Sequence, residues 1–288
     1  MTWVGIDENG LGPVLGPFVA TGVSVRGRCP PAFHPVLADS KRVFHPGQEA
    51  SFRRIEATAL AAARLAHGSA PDAPADFLRM LTGKTGCGAA HPFCWDLLPS
   101  SVVWARRADI EEMAALLNGW LASNGCHSLR ISSRIVCPAE LNACFAAGTA
   151  KSAINFEAFS ALIQEMAEDG ATVDAGRVGG MRYYGKRLRD RFPDAAVSAL
   201  RETADVSQYL IHRDARIAVS FRRDVEETSA LACLASIVGK YVRELFMEAV
   251  NRALGTAERV SGYRDPRTRT ALTNIPANLS ASCLIRDR

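Results

Sequence analysis

Four acids fall where predicted strands end or a predicted helix begins: Asp7 and Glu8, Asp174, and Glu226. Clustered carboxylates repel one another and cannot all stay ionised without a compensating cation. A ligand set made only of oxygen favours hard ions such as Mg²⁺ or Mn²⁺. Two such ions roughly 3.5–4 Å apart can activate a water and stabilise the leaving oxygen of a phosphodiester. Each acid taken singly also has a structural reading. Glu226 and Glu227 suit the positive end of a helix dipole. Asp224 followed by Glu227 resembles a capping box with Asp in place of Ser or Thr. Asp174 before Ala-Gly fits a turn. Composition and periodicity alone leave both readings open.

The elements that would carry these acids read as alternating strands and helices. Residues 2–7 alternate as a strand and run into the turn Glu8-Asn9-Gly10-Leu11-Gly12-Pro13. Neighbouring strand residues point to opposite faces, so Asp7 and Glu8 can share a site only if the chain leaves extended geometry at that turn. Residues 18–25, 129–137, 171–174 and 216–221 are further strand candidates. Residues 48–65 are alanine-rich and helical in pattern, and 155–167 place Phe156, Phe159, Ile163 and Met166 on one face. A long helix is predicted over 225–254, with Ala230, Leu234, Ile237, Tyr241, Leu245 and Ala249 as its buried stripe. The order strand–strand–helix–strand–helix–strand–strand–helix is an α/β layer plan. Residues 73–126 and 177–213 fit it poorly and are read as insertions on one domain spanning 1–263, followed by a basic, partly mobile tail over 264–288.

Composition sets outer bounds. The 288 residues are 48% apolar and 22% charged, enough for a sizeable core. The net charge of +4 permits a nucleic-acid partner without demanding one. No apolar run is long enough to cross a bilayer, so no membrane association is expected. The start MTWVGIDENG places acids where an export signal has its apolar stretch. The eight cysteines are scattered, which fits reduced thiols and a cytoplasmic location. Cys87, His91 and Cys94 could seed a zinc site with Cys126 or His127, although a packed loop fits them better. The segment Arg182-Tyr183-Tyr184-Gly185-Lys186-Arg187-Leu188-Arg189 could stack on nucleic acid or form a solvated basic face. Gly176-Arg177-Val178-Gly179-Gly180 could track a phosphate or simply turn the chain, and Arg222-Arg223 could offset product charge or lie on the surface.

Several motifs together resemble one family. Gly5-Ile6-Asp7-Glu8-Asn9-Gly10-Leu11-Gly12-Pro13 resembles the opening G-[IV]-D-E-x-G-[RK]-G of ribonucleases HII and HIII. Asp39-Ser40-Lys41 is similar to their D-S-K motif, and Thr172-Val173-Asp174 to the strand bearing the third acid. Ala235-Ser236-Ile237-Val238-Gly239-Lys240-Tyr241-Val242-Arg243-Glu244 is similar to the helix A-S-[IL]-[LV]-A-K-x-x-R-[DE], which places Glu226 at the fourth acid. Gly262-Tyr263 resembles the late G-Y pair, and Pro138-Ala139-Glu140-Leu141-Asn142 a short segment of ribonuclease HIII. The motifs occur in the family's order and leave 73–126 and 177–213 uncovered.

The resemblance, to a divergent member, implies a ribonuclease H-like mixed sheet of about five strands flanked by helices. It implies endonucleolytic cleavage of the RNA strand of RNA/DNA hybrids with Mg²⁺ or Mn²⁺, leaving 5′-phosphate and 3′-hydroxyl ends, by a protein expected to be monomeric. By position, Asp7, Glu8, Asp174 and Glu226 would hold the metals and the attacking water. The backbone of Gly10, Leu11 and Gly12 would approach the scissile phosphate and the 2′-hydroxyl that separates RNA from DNA. Tyr263 would pack on the neighbouring sugar, and Lys41 and Lys240 would contact phosphates. Two positions depart from the pattern. Leu11 replaces the cation between the glycines, and Glu226 stands where the family has Asp. Those departures also fit a nucleic-acid binder with weak or no turnover, and the two insertions fit a nuclease with a changed substrate.

Overall fold

The computed structural model describes residues 1–28, 30, 37, 44–45, 47–84, 93–212, 216–256, 258–273, 275 and 281–287, with the side chains of 93, 94, 281 and 282 left aside. Asp39, Ser40, Lys41, Cys87, His91 and the Cys94 thiol therefore lie outside the described residues.

Seven strands form one mixed sheet: β1 (Thr2–Asn9), β2 (Phe18–Gly27), β3 (Cys126–Val136), β4 (Thr172–Gly176), β5 (Ala196–Glu202), β6 (Val206–His212) and β7 (Arg216–Arg222). Their spatial order is β3-β2-β1-β4-β7-β6-β5. β1, β2 and β3 pair antiparallel, β1–β4 and β4–β7 pair parallel, and β7, β6 and β5 pair antiparallel. The class is the expected helix-flanked mixed α/β sheet, with seven strands rather than about five. The additional pair, β5 and β6, comes from the basic stretch 177–213. β5 is exposed along most of its length, which conceals it from any pattern of burial.

Helices cover both faces. On one side lie α1 (Glu49–His67), α2 (Pro74–Thr82), α3 (Phe93–Asp96), α4 (Arg107–Ser123) and the long α8 (Ala230–Leu254). On the other lie α5 (Pro138–Ala146), α6 (Lys151–Met166) and α7 (Gly185–Arg191), while α9 (Pro266–Thr273) and α10 (Ala281–Leu284) close the chain. The alternation of β1 feeds both cores. Val4 and Ile6 pack with Phe156, Phe159 and Leu162, whereas Trp3 packs with the α8 side. Gly5 permits the contact with α8, because a Cβ there would lie 2.2 Å from the Ala232 amide nitrogen. Residues 73–126 supply Phe77, Leu78, Leu81, Ile110, Leu117 and Leu121 to the α8-side core. Buried Glu56 fastens this region. It accepts from the amides of Val103, Trp104 and Ala105 and from the Tyr241 hydroxyl at 2.8 Å.

One predicted boundary shifts. Asp224 adopts a left-handed φ of 50°, and residues 225–227 form a separate 3-10 turn, so α8 begins at Ala230 rather than at 225. Ser229 caps α8, its hydroxyl accepting from the Ala232 amide at 3.4 Å. Near the C-terminus, Ile285 bridges to Leu15, and the Arg286 amide donates to the Val14 carbonyl at 2.9 Å. Among the described residues no helix is long and apolar enough to cross a membrane.

Candidate active site

β1, β4 and β7 run parallel, so their carboxyl ends open on one edge, where α/β sheets commonly bind ligands. Asp7 and Glu8 immediately precede Asn9, the last residue of β1, Gly176 ends β4, and the turn bearing Glu226 follows β7. A Cβ built on Gly176 would lie 3.0 Å from Asp7 Oδ1 and 3.4 Å from Glu8 Oε2. Both carboxylates thus converge over the neighbouring strand, although they leave β1 on opposite faces.

Asp7 is buried. Burial, followed by the charges of Glu8 and Glu226, pushes its pKa well above the ordinary carboxylate value. Hydrogen bonds from the Ser236 hydroxyl and the Glu8 amide oppose the rise. Asp7, Glu8 and Glu226 are therefore one electrostatic unit, and Ser236 is a member that the motif contained without revealing its role. Asp174 is placed differently. The register sets it beside Gly5, two residues before Gly176, and Arg222 Nε donates to its Oδ1 at 3.1 Å. Burial raises its pKa while Arg222 opposes the rise, so its charge partner is Arg222 rather than the other acids.

The acidic unit separates two clefts. The larger, about 460 Å³, is lined by Asp7, Glu8, Glu226, Ser236, the turn 9–12, Phe44, Lys240 and Tyr263. The smaller, about 250 Å³, adds Gly176, Arg177, Arg222 and Arg223 to the same acids. Gly10 has φ of 80°, and a Cβ there would meet the Pro17 carbonyl at 2.8 Å, so only glycine suits this corner. Asn9 ties the strand end to α8 by donating to the Ser236 carbonyl at 3.0 Å. Leu11 lines the larger cleft and packs against the α6-side core. Tyr263 is half-exposed beside Gly12, with the Arg243 guanidinium 5.5 Å from its ring centre. Lys240 lines the cleft too, but its ammonium binds Glu244 at 2.7 Å and lies 4.0 Å from the Phe44 ring centre. Burial lowers its pKa.

Other sequence candidates sit apart. Tyr184 is a core residue rather than a stacking platform: it lies 3.8 Å from Phe221, nearly parallel to it. Tyr183 is exposed. Arg223 pairs with Asp224 at 3.6 Å. Two buried arginines behind the glycine turn, Arg243 and Arg286, escaped sequence reasoning: one lies inside a helix motif and the other in a polar C-terminal stretch.

Among the described residues no three His, Cys, Asp or Glu side chains are gathered tightly enough to hold a metal ion as they stand. The donor chemistry nevertheless fits a divalent cation. Asp7, Glu8 and Glu226 offer only oxygen, and a nearby positive charge would relieve the repulsion that raises Asp7.

No family model and no curated relative matches the chain. Among solved structures, ribonuclease HII from Archaeoglobus fulgidus in its PCNA complex aligns at 20% identity and TM-score 0.47, covering 100% of this chain and 95% of that one. Bst ribonuclease HIII in complex with Mn²⁺ aligns at 13% and 0.49, covering 100% and 66%. Ribonuclease H2 from Pyrococcus horikoshii OT3 aligns at 16% and 0.45, covering 94% and 85%.

Proposed function

We propose that this chain is a metal-dependent endonuclease of the ribonuclease H type, hydrolysing the RNA strand of RNA/DNA hybrids. The observation that carries the reading is buried Asp7, raised by Glu8 and Glu226, at the junction of two clefts on the strand-end edge. In this reading Asp7, Glu8 and Glu226 hold Mg²⁺ or Mn²⁺, with Ser236 fixing the Asp7 carboxylate. The ions, when bound, neutralise the phosphate and lower the pKa of a water. Gly10, Leu11 and Gly12 present backbone to the sugar-phosphate chain, where a 2′-hydroxyl can be distinguished from a hydrogen. Tyr263 supplies an exposed ring at the lip of the same cleft. Arg177, Arg222 and Arg223 provide positive charge on the far side of the acids. Asp174 is the fourth acid; paired with Arg222 at 3.1 Å, it would add a further oxygen ligand to a divalent ion bound beside it. Lys41 and Lys240 are assigned to phosphate contact. The protein is read as a cytoplasmic monomer.

The Arg222–Asp174 ion pair favours a second reading, a nucleic-acid binder with weak turnover. The test is a panel of end-labelled duplexes (RNA/DNA hybrid, DNA and RNA) incubated with Mg²⁺ or Mn²⁺. The first reading expects cuts in the RNA strand of the hybrid alone, lost in Asp7→Asn. Salt-sensitive binding without cuts under either metal establishes the second. Cleavage that persists in Asp7→Asn overturns the first.

A further inference from the structure

The C-terminal residues return to the edge that bears the acids and are clamped there. Asn142 Nδ2 donates to the Ile285 carbonyl at 2.8 Å, and its Oδ1 accepts from the Asp287 amide at 2.9 Å. The Gly16 amide donates to the Leu284 carbonyl at 3.1 Å. This clasp drives the Arg286 side chain under the turn that follows β1. Nη1 donates to the Gly10 carbonyl at 2.6 Å and Nε to the Gly16 carbonyl at 2.8 Å, with the residue 3% exposed.

Arg243 reaches the same turn from α8. It is 2% exposed, and its Nε lies 2.9 Å from where a Gly10 Cβ would be. Arg286 Nη2 and Arg243 Nε are buried with no hydrogen-bond partner among the described residues. The nearby carboxylate, Glu244, is shared by Lys240, Arg243 and Arg259, and no described acid pairs with Arg286. Burial, then Arg243, lowers the Arg286 pKa to about 9, which still leaves it charged at neutral pH. An uncompensated buried charge is costly unless something of opposite sign comes near. The turn also lines the larger cleft, and its one long side chain, Leu11, is uncharged.

We infer that Arg286, carried in by the C-terminal clasp, provides through the Gly10–Leu11–Gly12 turn the positive field that holds a substrate phosphate. The residue at position 11 cannot supply that field. The inference rests on the proposed hybrid-cleaving function and adds a positioning residue that lies far from every motif. Arg286 touches no substrate; it fixes the Gly10 carbonyl of the turn and the Gly16 carbonyl beyond it, which holds the turn's backbone in place with a guanidinium charge against it. Oriented amides backed by a fixed cation make an anion site.

The experiment measures binding of a labelled RNA/DNA hybrid across a salt series, with cleavage blocked by omitting divalent ions, for the full chain, Arg286→Gln and Arg286→Lys. Arg286→Gln is expected to weaken binding about tenfold and to flatten the slope of log affinity against log salt by about one. Arg286→Lys retains the charge and should restore the slope, even though it loses part of the carbonyl clamp. Melting curves accompany each variant. If Arg286→Gln is folded and its slope equals the parent's, the inference is overturned. If Arg286→Gln does not fold, Asn142→Ala decides, because it releases the clasp that carries Arg286 in: a flatter slope than the parent's is expected, and the parent's slope in that variant overturns the inference. A parent that binds no hybrid at any salt would instead defeat the functional reading itself.

Discussion

Replacing Asp7 by Asn should stabilise the protein while abolishing cleavage. Folded Asp7 carries a burial penalty and the repulsion of Glu8 and Glu226. Asn keeps the side-chain oxygen that accepts from Ser236 and removes the charge. Relief of one uncompensated buried charge is worth roughly 1–3 kcal/mol. For a chain of this size each kcal/mol moves the melting temperature by about 2–4 °C, so a rise of several degrees is expected in metal-free buffer. The pH dependence supplies the sign. The folded pKa lies above the ordinary 3.8, so between 3.8 and the raised value the folded state binds more protons than the unfolded. Parent stability therefore falls as pH rises through that window. The advantage of Asp7→Asn should be small near pH 4 and reach its full size above the folded pKa. Thermal unfolding of both proteins with EDTA at a series of pH values reads this directly. An Asn variant that melts below the parent at pH 8, or a gap that narrows as pH rises, would refute the reasoning.

Three further perturbations follow from the same geometry. Asp174→Asn should lower hybrid cleavage by roughly 10–100-fold, less than Asp7→Asn, because Arg222 already occupies that carboxylate; equal losses in single-turnover assays would place Asp174 fully inside the acidic unit. Gly176→Ala puts a methyl 3.0 Å from Asp7 Oδ1, and cleavage should drop about a hundredfold while the circular dichroism spectrum is unchanged. Glu56→Ala strands three backbone amides and the Tyr241 hydroxyl, costing at least about 2 kcal/mol in urea unfolding, with Mn²⁺ affinity of the folded protein unaltered.

Legibility in the sequence followed physical range. β1 and its acids were readable because the alternation of Trp3, Val4, Gly5 and Ile6 is local, and the β1, β2, β4 and β7 strands fall where their apolar runs place them. The start of α8 was not readable: the left-handed Asp224 and the Ser229 cap split an apparently continuous helical pattern. In residues 73–126, proline and glycine punctuation concealed the stripe of Phe77, Leu78 and Leu81 that joins the α8-side core. Within the site, the convergence of Asp7 and Glu8 over Gly176 depends on the neighbouring strand, which the sequence of β1 does not contain. Arg222 looked like half of an arginine pair, yet it answers an acid 48 residues away. Arg286 looked like a polar terminus because the Leu15 and Asn142 contacts that bury it are entirely long-range.

The sharpest measurement is equilibrium binding of Mn²⁺, followed by electron paramagnetic resonance of the free ion, to the parent, Asp7→Asn, Glu226→Gln and the exposed neighbour Glu227→Gln. If Asp7, Glu8 and Glu226 share a cation, the parent and Glu227→Gln will bind alike, and each of the other two variants will lose at least about tenfold in affinity, near 1.4 kcal/mol. Unchanged Mn²⁺ binding in Asp7→Asn and Glu226→Gln would contradict the assignment of a divalent-metal centre to this edge of the sheet.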